Sequence, residues 1–333
     1  MAYPLTTSTN FPPAVAADLA RDLLFRATPM LHYAKVAKKE GKPGNSGDTK
    51  IFRRVEALAT NTVPLTEGVN PTGKRLTKTD VSAVLKQYGD YIPLTDYVQA
   101  IVDHPVLQAA NAVLAEQAAQ SLDLLLADIS ASGTAALLGG TASVRTDLLN
   151  TTHIISRTLL RKAIRTLEGN NARKFNKMIS ASEKVSTTPI WDSYWGITTE
   201  DVYYDLKDVD GFIPVAEYSQ SSAMVPGEVG AFENVRFLVS TQAKKFLGGG
   251  GTAVGVQATS TVADVHTCVI FAREAIATIP LNGKNFESIV NPVGSAGAAD
   301  ALHLFGTSGW KATTAQVILN DAFLIRLEVT VSA

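Results

Sequence analysis

Cysteine is almost missing from this chain: Cys268 is the only one in 333 residues. No disulfide can therefore form within one chain, and the composition suits a reducing cytoplasm. A single cysteine also cannot build a Cys/His metal cluster. The five histidines (His32, His104, His153, His266 and His303) nowhere fall at ligand spacing. No apolar run reaches the ~18 residues that cross a bilayer, so no membrane association is expected. The opening MAYPLTTSTNFPPAVAADLA has neither a basic start nor an apolar core segment, and no secretory signal is expected from it. Charge is sparse and balanced, with 30 Lys and Arg against 31 Asp and Glu for a net charge of -1. A dedicated nucleic-acid binder would carry a basic stripe or tail, and none is visible. Apolar mass is what the chain has, 46% of it. That is enough for two domains, or for one domain with long excursions.

Residues 1–33 read as a mixed arm in which Pro4, Pro12 and Pro13 precede helical spacing over 14–27. A charged Gly/Pro/Ser-rich connector, KVAKKEGKPGNSGD, follows and delivers the chain into a strand-like run over 49–55. From Ala57 to Thr79 the only large apolar residues are Leu58, Val63, Leu65, Val69 and Leu76. The chain then runs back as DVSAVLKQYGDYIPLTD. A strand out, a polar tip and a strand back make a two-stranded ribbon. Such a ribbon is marginal alone in water and should lie on something else, such as a neighbouring subunit. A long helix is predicted over 104–131, with Leu107, Ala110, Leu114, Ala118, Leu122, Leu125 and Ile129 on one stripe. Asp103 or His104 would cap it, Pro105 fits its first turn, and Ser132-Gly133 would close it. Ser156 opens a shorter helix that turns Leu159, Leu160, Ala163, Ile164 and Leu167 inward and stops at Gly169. Its other face carries Arg157, Arg161, Lys162 and Arg165, suited either to weak DNA contact or to salt bridges in solvent. Thr198-Thr-Glu-Asp201 reads as a capping-box start. The Gly/Ser/Thr/Ala-rich stretch from Gly248 to Asp264 reads as a loop, and a strand resumes over 266–272.

No constellation of catalytic or ligand-binding residues emerges. Gly68-Val-Asn-Pro-Thr-Gly73-Lys74-Arg75 has the glycine and lysine spacing of a phosphate loop. Arg75, however, stands where magnesium needs a Ser or Thr, and no strand and helix flank the segment. Gly44-Asn-Ser46-Gly47-Asp48 has a serine between glycines but no histidine and acid in register with it. Asp201, Asp205, Asp208 and Asp210 form an acidic cluster without the glycine and terminal glutamate of a calcium loop. No catalytic residue, cofactor or metal is therefore expected. The basic residues Arg53, Arg54, Lys74, Arg75 and Lys78 sit on the ribbon among Glu56, Glu67 and Asp80. Two readings of them stay open: pairing with acids on a neighbouring subunit, with Arg53, Arg54, Glu67, Lys74, Arg75 and Lys78 as intersubunit contacts, or a merely hydrophilic ribbon.

Two blocks carry a resemblance. One is GWKATTAQVILNDAFLIRLEVTVSA, from Gly309 to Ala333; the other is GEVGAFENVRFLVS, from Gly227 to Ser240. In this order, behind a long alanine-rich helix, they resemble the major capsid proteins of tailed bacteriophages with the Hong Kong 97-type fold, loosely from Asp48 to Ala333. The resemblance implies an α+β subunit with an N-terminal arm and connector (1–47) and an extended loop (48–91). It implies a peripheral domain with a spine helix (92–172), an axial domain (173–280) and a return to the peripheral domain (281–333). ILNDAFLIRLE would be a closing hairpin turning at Asn320-Asp321. Asn291-Pro-Val-Gly294 and the inserted SAGAADALHLFGTS depart from the family's pattern just before it. The implied function is a non-enzymatic coat protein. It would assemble as pentamers and hexamers into an icosahedral head, in the host cytoplasm, around double-stranded DNA touched without specificity. Scaffolding, portal and decoration proteins are its implied companions. An encapsulin-like compartment shell is the alternative.

Overall fold

The computed structural model describes residues 32–56, 58–101, 106–149, 152–175, 178–179, 189–218, 224–225, 227–252, 262–291, 293–295 and 301–332. The expected arm helix, the caps at Asp103 and His104, the side chain of Leu107 and residues 253–261 lie outside them. In chain order, a short helix α1 (Tyr33–Val36) leads through β1 (Lys38–Lys39) to β2 (Thr49–Val55) and β3 (Lys78–Val84). Then come β4 (Lys86–Thr95), α2 (Asp96–Ile101), α3 (Val106–Ala131), β5 (Ala136–Leu138) and α4 (Arg157–Gly169). β6 (Tyr194–Thr198), α5 (Glu200–Lys207), β7 (Phe212–Pro214), β8 (Glu228–Phe232), β9 (Val235–Val239) and β10 (Lys245–Phe246) follow. β11 (Val265–Phe271), β12 (Ile276–Pro280), β13 (Phe286–Asn291), β14 (Phe305–Ile318) and β15 (Leu324–Val329) complete the chain.

An eight-stranded sheet runs β5-β15-β11-β6-β9-β8-β7, with β10 also on β11. All seven residues of β11 are buried, because both faces of this sheet are covered. Strand periodicity sends Cys268 and Ile270 to one side, against Leu160, Ile164 and Leu167 of α4 and Val202 and Leu206 of α5. Val269 and Phe271 point to the other side, against Tyr33 of α1 and Leu126 of α3. Each such large side chain contributes about 1.5–3 kcal/mol by leaving water.

Helix α4 forms as its sequence demands. Ser156 Oγ accepts the Leu159 N–H at 3.4 Å, and the five apolar residues expected inside are the five that are buried. The helix ends at Gly169, as expected; just beyond it Asn171 takes the left-handed conformation (φ 52°), and the Ala172 N–H closes on the Leu167 carbonyl at 3.0 Å. The cap of α5 is Thr199 rather than Thr198, its Oγ1 accepting the Val202 N–H at 3.5 Å; Thr198 is the last residue of β6.

The second, five-stranded sheet is organised around the 14 residues of β14. One edge of β14 pairs with β12 and then β13, the other with β4. Helix α3, 26 residues and roughly 39 Å long, serves both sheets. Its buried Leu114 and Ala118 pack on Trp310 and Ala312 of β14. Further along, Asp123, Leu126, Ala127, Ser130 and Ala131 are the buried positions, with Leu126 and Ala127 against the eight-stranded sheet and α1. Leu122, Leu125 and Ile129, expected on a single stripe, are only half buried, because the covered face rotates where the helix passes from one sheet to the other.

Two expectations are corrected here. β14 and β15 do not form a hairpin: β14 pairs only within the five-stranded sheet, and β15 pairs with β11 and β5 in the eight-stranded one. The turn at Asn320-Asp321 is a crossing between sheets. It runs beside the crossing from β11 to β12, with the Leu319 N–H on the Ala275 carbonyl at 2.8 Å and the Ala272 N–H on the Phe323 carbonyl at 2.9 Å. The ribbon also ends earlier than 91. Its paired strands stop at Val84, and residues 86–91 already belong to β4 on the five-stranded sheet.

Candidate assembly surface

The ribbon is antiparallel β2 and β3, with Thr49 opposite Val84 and Val55 opposite Lys78. Little of it meets the body. Ala83 is buried against Ile279 and Ala315, and Phe52 and Leu85 are half buried beside them. From residue 58 to residue 77 there is no strand or helix, and the tip leaves Val63 72%, Leu65 73%, Val69 63% and Leu76 66% exposed. Ile51, Val55 and Val84 are also exposed on the strands. Apolar side chains presented on an element too thin to cover them mark an interaction surface.

The charged residues expected to reach a neighbour are largely matched at home. Arg53 and Asp80 stand opposite one another and join through two hydrogen bonds, Nε to Oδ1 at 2.9 Å and Nη2 to Oδ2 at 3.2 Å. Arg53 holds the Asp80 carboxyl below its ordinary range. Lys78 lies 3.4 Å from the same carboxylate. On the other face, Thr79 Oγ1 donates to Glu56 Oε1 at 2.6 Å and Arg54 Nη2 does so at 2.9 Å, which together depress that carboxyl. Lys74 folds back, its ammonium on the Ala59 carbonyl at 2.5 Å. Among the described residues no ion pair engages Glu67 or Arg75, both exposed on the tip. Arg53 thus pairs across the two strands while Arg54 and Lys78 pair along their own, and the apolar residues, which the charge pattern did not single out, are the ribbon's free surface. Their signal was legible in the alternation of Ile51 and Val55 and in the isolated tip residues.

The remaining candidates stay apart from one another. The phosphate-loop-like segment is part of the tip, with Gly68 in the left-handed region (φ 76°) and no helix behind it. Ser46 Oγ donates to the Pro43 carbonyl at 2.7 Å in a turn. His266 is buried, and burial lowers its pKa; its Nδ1 lies 3.1 Å from Thr199 Oγ1 and 3.5 Å from Asp201 Oδ2. Hydroxyl and carboxylate meet the same ring nitrogen, which is not a relay geometry. The acidic cluster disperses. Asp201 pairs with Lys245 at 2.5 Å, Asp205 accepts the Ser332 hydroxyl at 2.5 Å and its N–H at 3.0 Å, and Asp210 pairs with Arg157. Among the described residues no group of three His, Cys, Asp or Glu side chains could hold a metal, and no helix is long and apolar enough to cross a membrane. On α4, Arg157 and Arg161 are paired, the latter with Glu233 at 2.6 Å, while Lys162 and Arg165 are exposed.

No family model matches the chain. Solved structures do. The capsid of Ralstonia phage GP4 superposes with a TM-score of 0.61 at 12% identity, covering 90% of this chain and 88% of its own. That of cyanophage P-SCSP1u gives 0.60 at 14% identity, over 89% and 87%. The chain has the Hong Kong 97-type fold of phage capsids. Mycobacterium phage Che8 extends the same likeness over 96% of this chain and 97% of that one, with a TM-score of 0.58 at 13% identity. At the level of sequence, the major capsid protein of Pseudomonas phage KPP21 is 26% identical over 201 residues. That match spans 56% of this chain and half the length of the relative. In this capsid fold the ribbon is the largest part of the described chain that has no core of its own.

Proposed function

We propose that this chain is a major capsid protein, a structural and non-catalytic subunit. It would assemble through pentamers and hexamers into an icosahedral phage head around double-stranded DNA. The observation that carries the reading is the ribbon: a capsid fold extends a two-stranded arm whose tip leaves four large apolar side chains more than 60% exposed. A neighbouring subunit is the surface that would cover them. Glu67, Lys74 and Arg75, at the tip, are the charged residues best placed to meet that neighbour, while Arg53, Arg54 and Lys78 stiffen the ribbon that delivers them. In this reading the five-stranded sheet with α3 forms the peripheral domain and the eight-stranded sheet the axial one. Scaffolding, portal and decoration proteins would be its companions, the host cytoplasm its place of assembly and the virion its destination. The name of the curated relative favours a virion shell over a compartment that encloses enzymes.

Electron microscopy and sedimentation of the purified protein test this. Closed megadalton shells are expected, and a persistently monomeric protein would refute it. Deleting residues 61–74 should leave a soluble, folded subunit that no longer closes shells; normal particles from that deletion would remove the ribbon from the interface.

A further inference from the structure

The ribbon touches the body so little that something at its root must set its direction. Before the ribbon, the chain runs along the edge of the five-stranded sheet. Lys38 and Lys39 pair with β12, the Lys42 N–H donates to the Pro280 carbonyl at 2.9 Å, and the Asn282 N–H donates to the Lys42 carbonyl at 2.8 Å. It approaches so closely there that a Cβ on Gly41 would lie 2.1 Å from Asn282 Oδ1. A turn over residues 43–48 then reverses the chain, with Asn45 (φ 57°) and Gly47 (φ 82°) both left-handed. The Lys42 side chain enters this turn. Only 4% exposed, its ammonium donates to the Thr49 carbonyl at 2.6 Å and to the Ser46 carbonyl at 3.1 Å. Among the described residues it makes no ion pair. From the other side, Lys50 on β2 reaches back to the Gly41 carbonyl at 3.0 Å and the Glu40 carboxylate at 2.8 Å.

We propose that Lys42 is the positioning residue that sets the direction in which the ribbon leaves the body, its buried ammonium tying the first residue of β2 to the sheet edge. A buried ammonium tolerates only a site whose acceptors are held in place, so the charge selects one geometry of the turn. The Arg53–Asp80 and Arg54–Glu56 pairs act within the ribbon and cannot orient it. Lys50 works in the same sense from outside, but as an exposed-partner contact it is the weaker tie. For shell assembly, this rests on the reading of the chain as a capsid subunit, because a ribbon must arrive at its neighbour at a fixed angle.

The test uses full-length, unassembled chain carrying spin labels at Val55→Cys and Lys162→Cys, with Cys268 buried and unlabelled. A control pair at Lys162→Cys and Leu247→Cys lies wholly on the body. In the parent, electron–electron resonance should give one narrow ribbon-to-body distance. Lys42→Met should at least double its width and leave the control pair unchanged, and Lys42→Arg, which keeps a cation in the turn, should narrow it again. An unchanged ribbon-to-body width in Lys42→Met overturns the proposal. So does equal broadening of the control pair, which would make Lys42 a general fold determinant. An Arg variant as broad as the Met variant overturns the role of the charge. Because the measurement precedes assembly, failure of the parent to form shells would sink the capsid reading alone.

Discussion

Arg145 grips Glu328 with both arms of its guanidinium, Nε to Oε2 at 2.6 Å and Nη2 to Oε1 at 2.7 Å, and so ties the loop after β5 to the last strand. Glu328 is 2% exposed and also accepts from Arg326 Nε at 2.8 Å, while the Arg145 guanidinium lies 3.7 Å from the centre of the Phe246 ring. Burial alone would raise the Glu328 carboxyl; Arg145 and Arg326 outweigh it and hold the group below its ordinary value. Arg145→Met should therefore cost about 3 kcal/mol or somewhat more, the penalty of leaving a buried carboxylate half compensated. Urea unfolding of unassembled subunits measures it, since assembly would mask the loss. The sign with pH follows from the depressed pKa. The contribution is complete above the unfolded glutamate range and disappears as pH falls through the folded value. The difference between parent and variant should accordingly shrink in acid.

Asp123 behaves in the opposite way. Buried in α3, it accepts the Ala34 N–H at 3.1 Å and so anchors α1, but burial pushes its carboxyl up to about 6. The folded chain then binds a proton that the unfolded chain has released, between the ordinary aspartate value of about 3.9 and 6. Stability contributed here is present at low pH and lost as pH rises through that window. Asp123→Asn should remove this loss, so that stability rises more steeply with pH in the variant than in the parent across this window. If the variant and the parent keep the same slope from pH 4 to 6, the assignment is wrong. His32, beside it at the start of α1, is lowered to about 4 by burial, with Lys35 adding to the effect. It costs stability as pH falls from 6.5 toward 4, an opposing slope over nearly the same window that Asp123→Asn leaves in place.

Leu114 lies 4% exposed between α3 and Trp310, so Leu114→Ala should cost about 2–5 kcal/mol. Leu114→Asp, burying a charge without a partner, should give insoluble protein. Val113, its neighbour in sequence, is 43% exposed, and Val113→Ser should melt within a few degrees of the parent. The soluble fraction on expression checks Leu114→Asp, and thermal melts of purified Leu114→Ala and Val113→Ser separate the other two outcomes.

Duplex DNA should bind unassembled subunits only feebly and lose them with modest added salt, because a chain of net charge -1 has few unmatched cations with which to neutralise phosphates. Lys162 and Arg165, the exposed cations of α4, should carry part of what binding there is, and Lys162→Ala with Arg165→Ala should reduce it without altering stability. Submicromolar, sequence-selective binding in a mobility-shift assay would contradict this.

What was local was legible in the amino-acid sequence. Ser156 and the spacing of Leu159, Leu160, Ala163, Ile164 and Leu167 specify α4 and its buried face, because a helix makes its hydrogen bonds and its stripe within a few residues. The poverty of apolar residues after Ala57 equally announced a ribbon without a core. Only the tertiary structure decided that the strands flanking Asn320-Asp321 part company. Two alternating runs around a turn have the pattern of a hairpin whichever sheet each one joins. The choice depends on partners such as Tyr91 opposite Gly309 and Cys268 opposite Leu327, contributed from far along the chain. The same holds for Arg53 and Lys42. Their charges were visible in the sequence, but whether a cation meets a neighbour, its own ribbon or a pair of backbone carbonyls is set by where the backbone brings the acceptors.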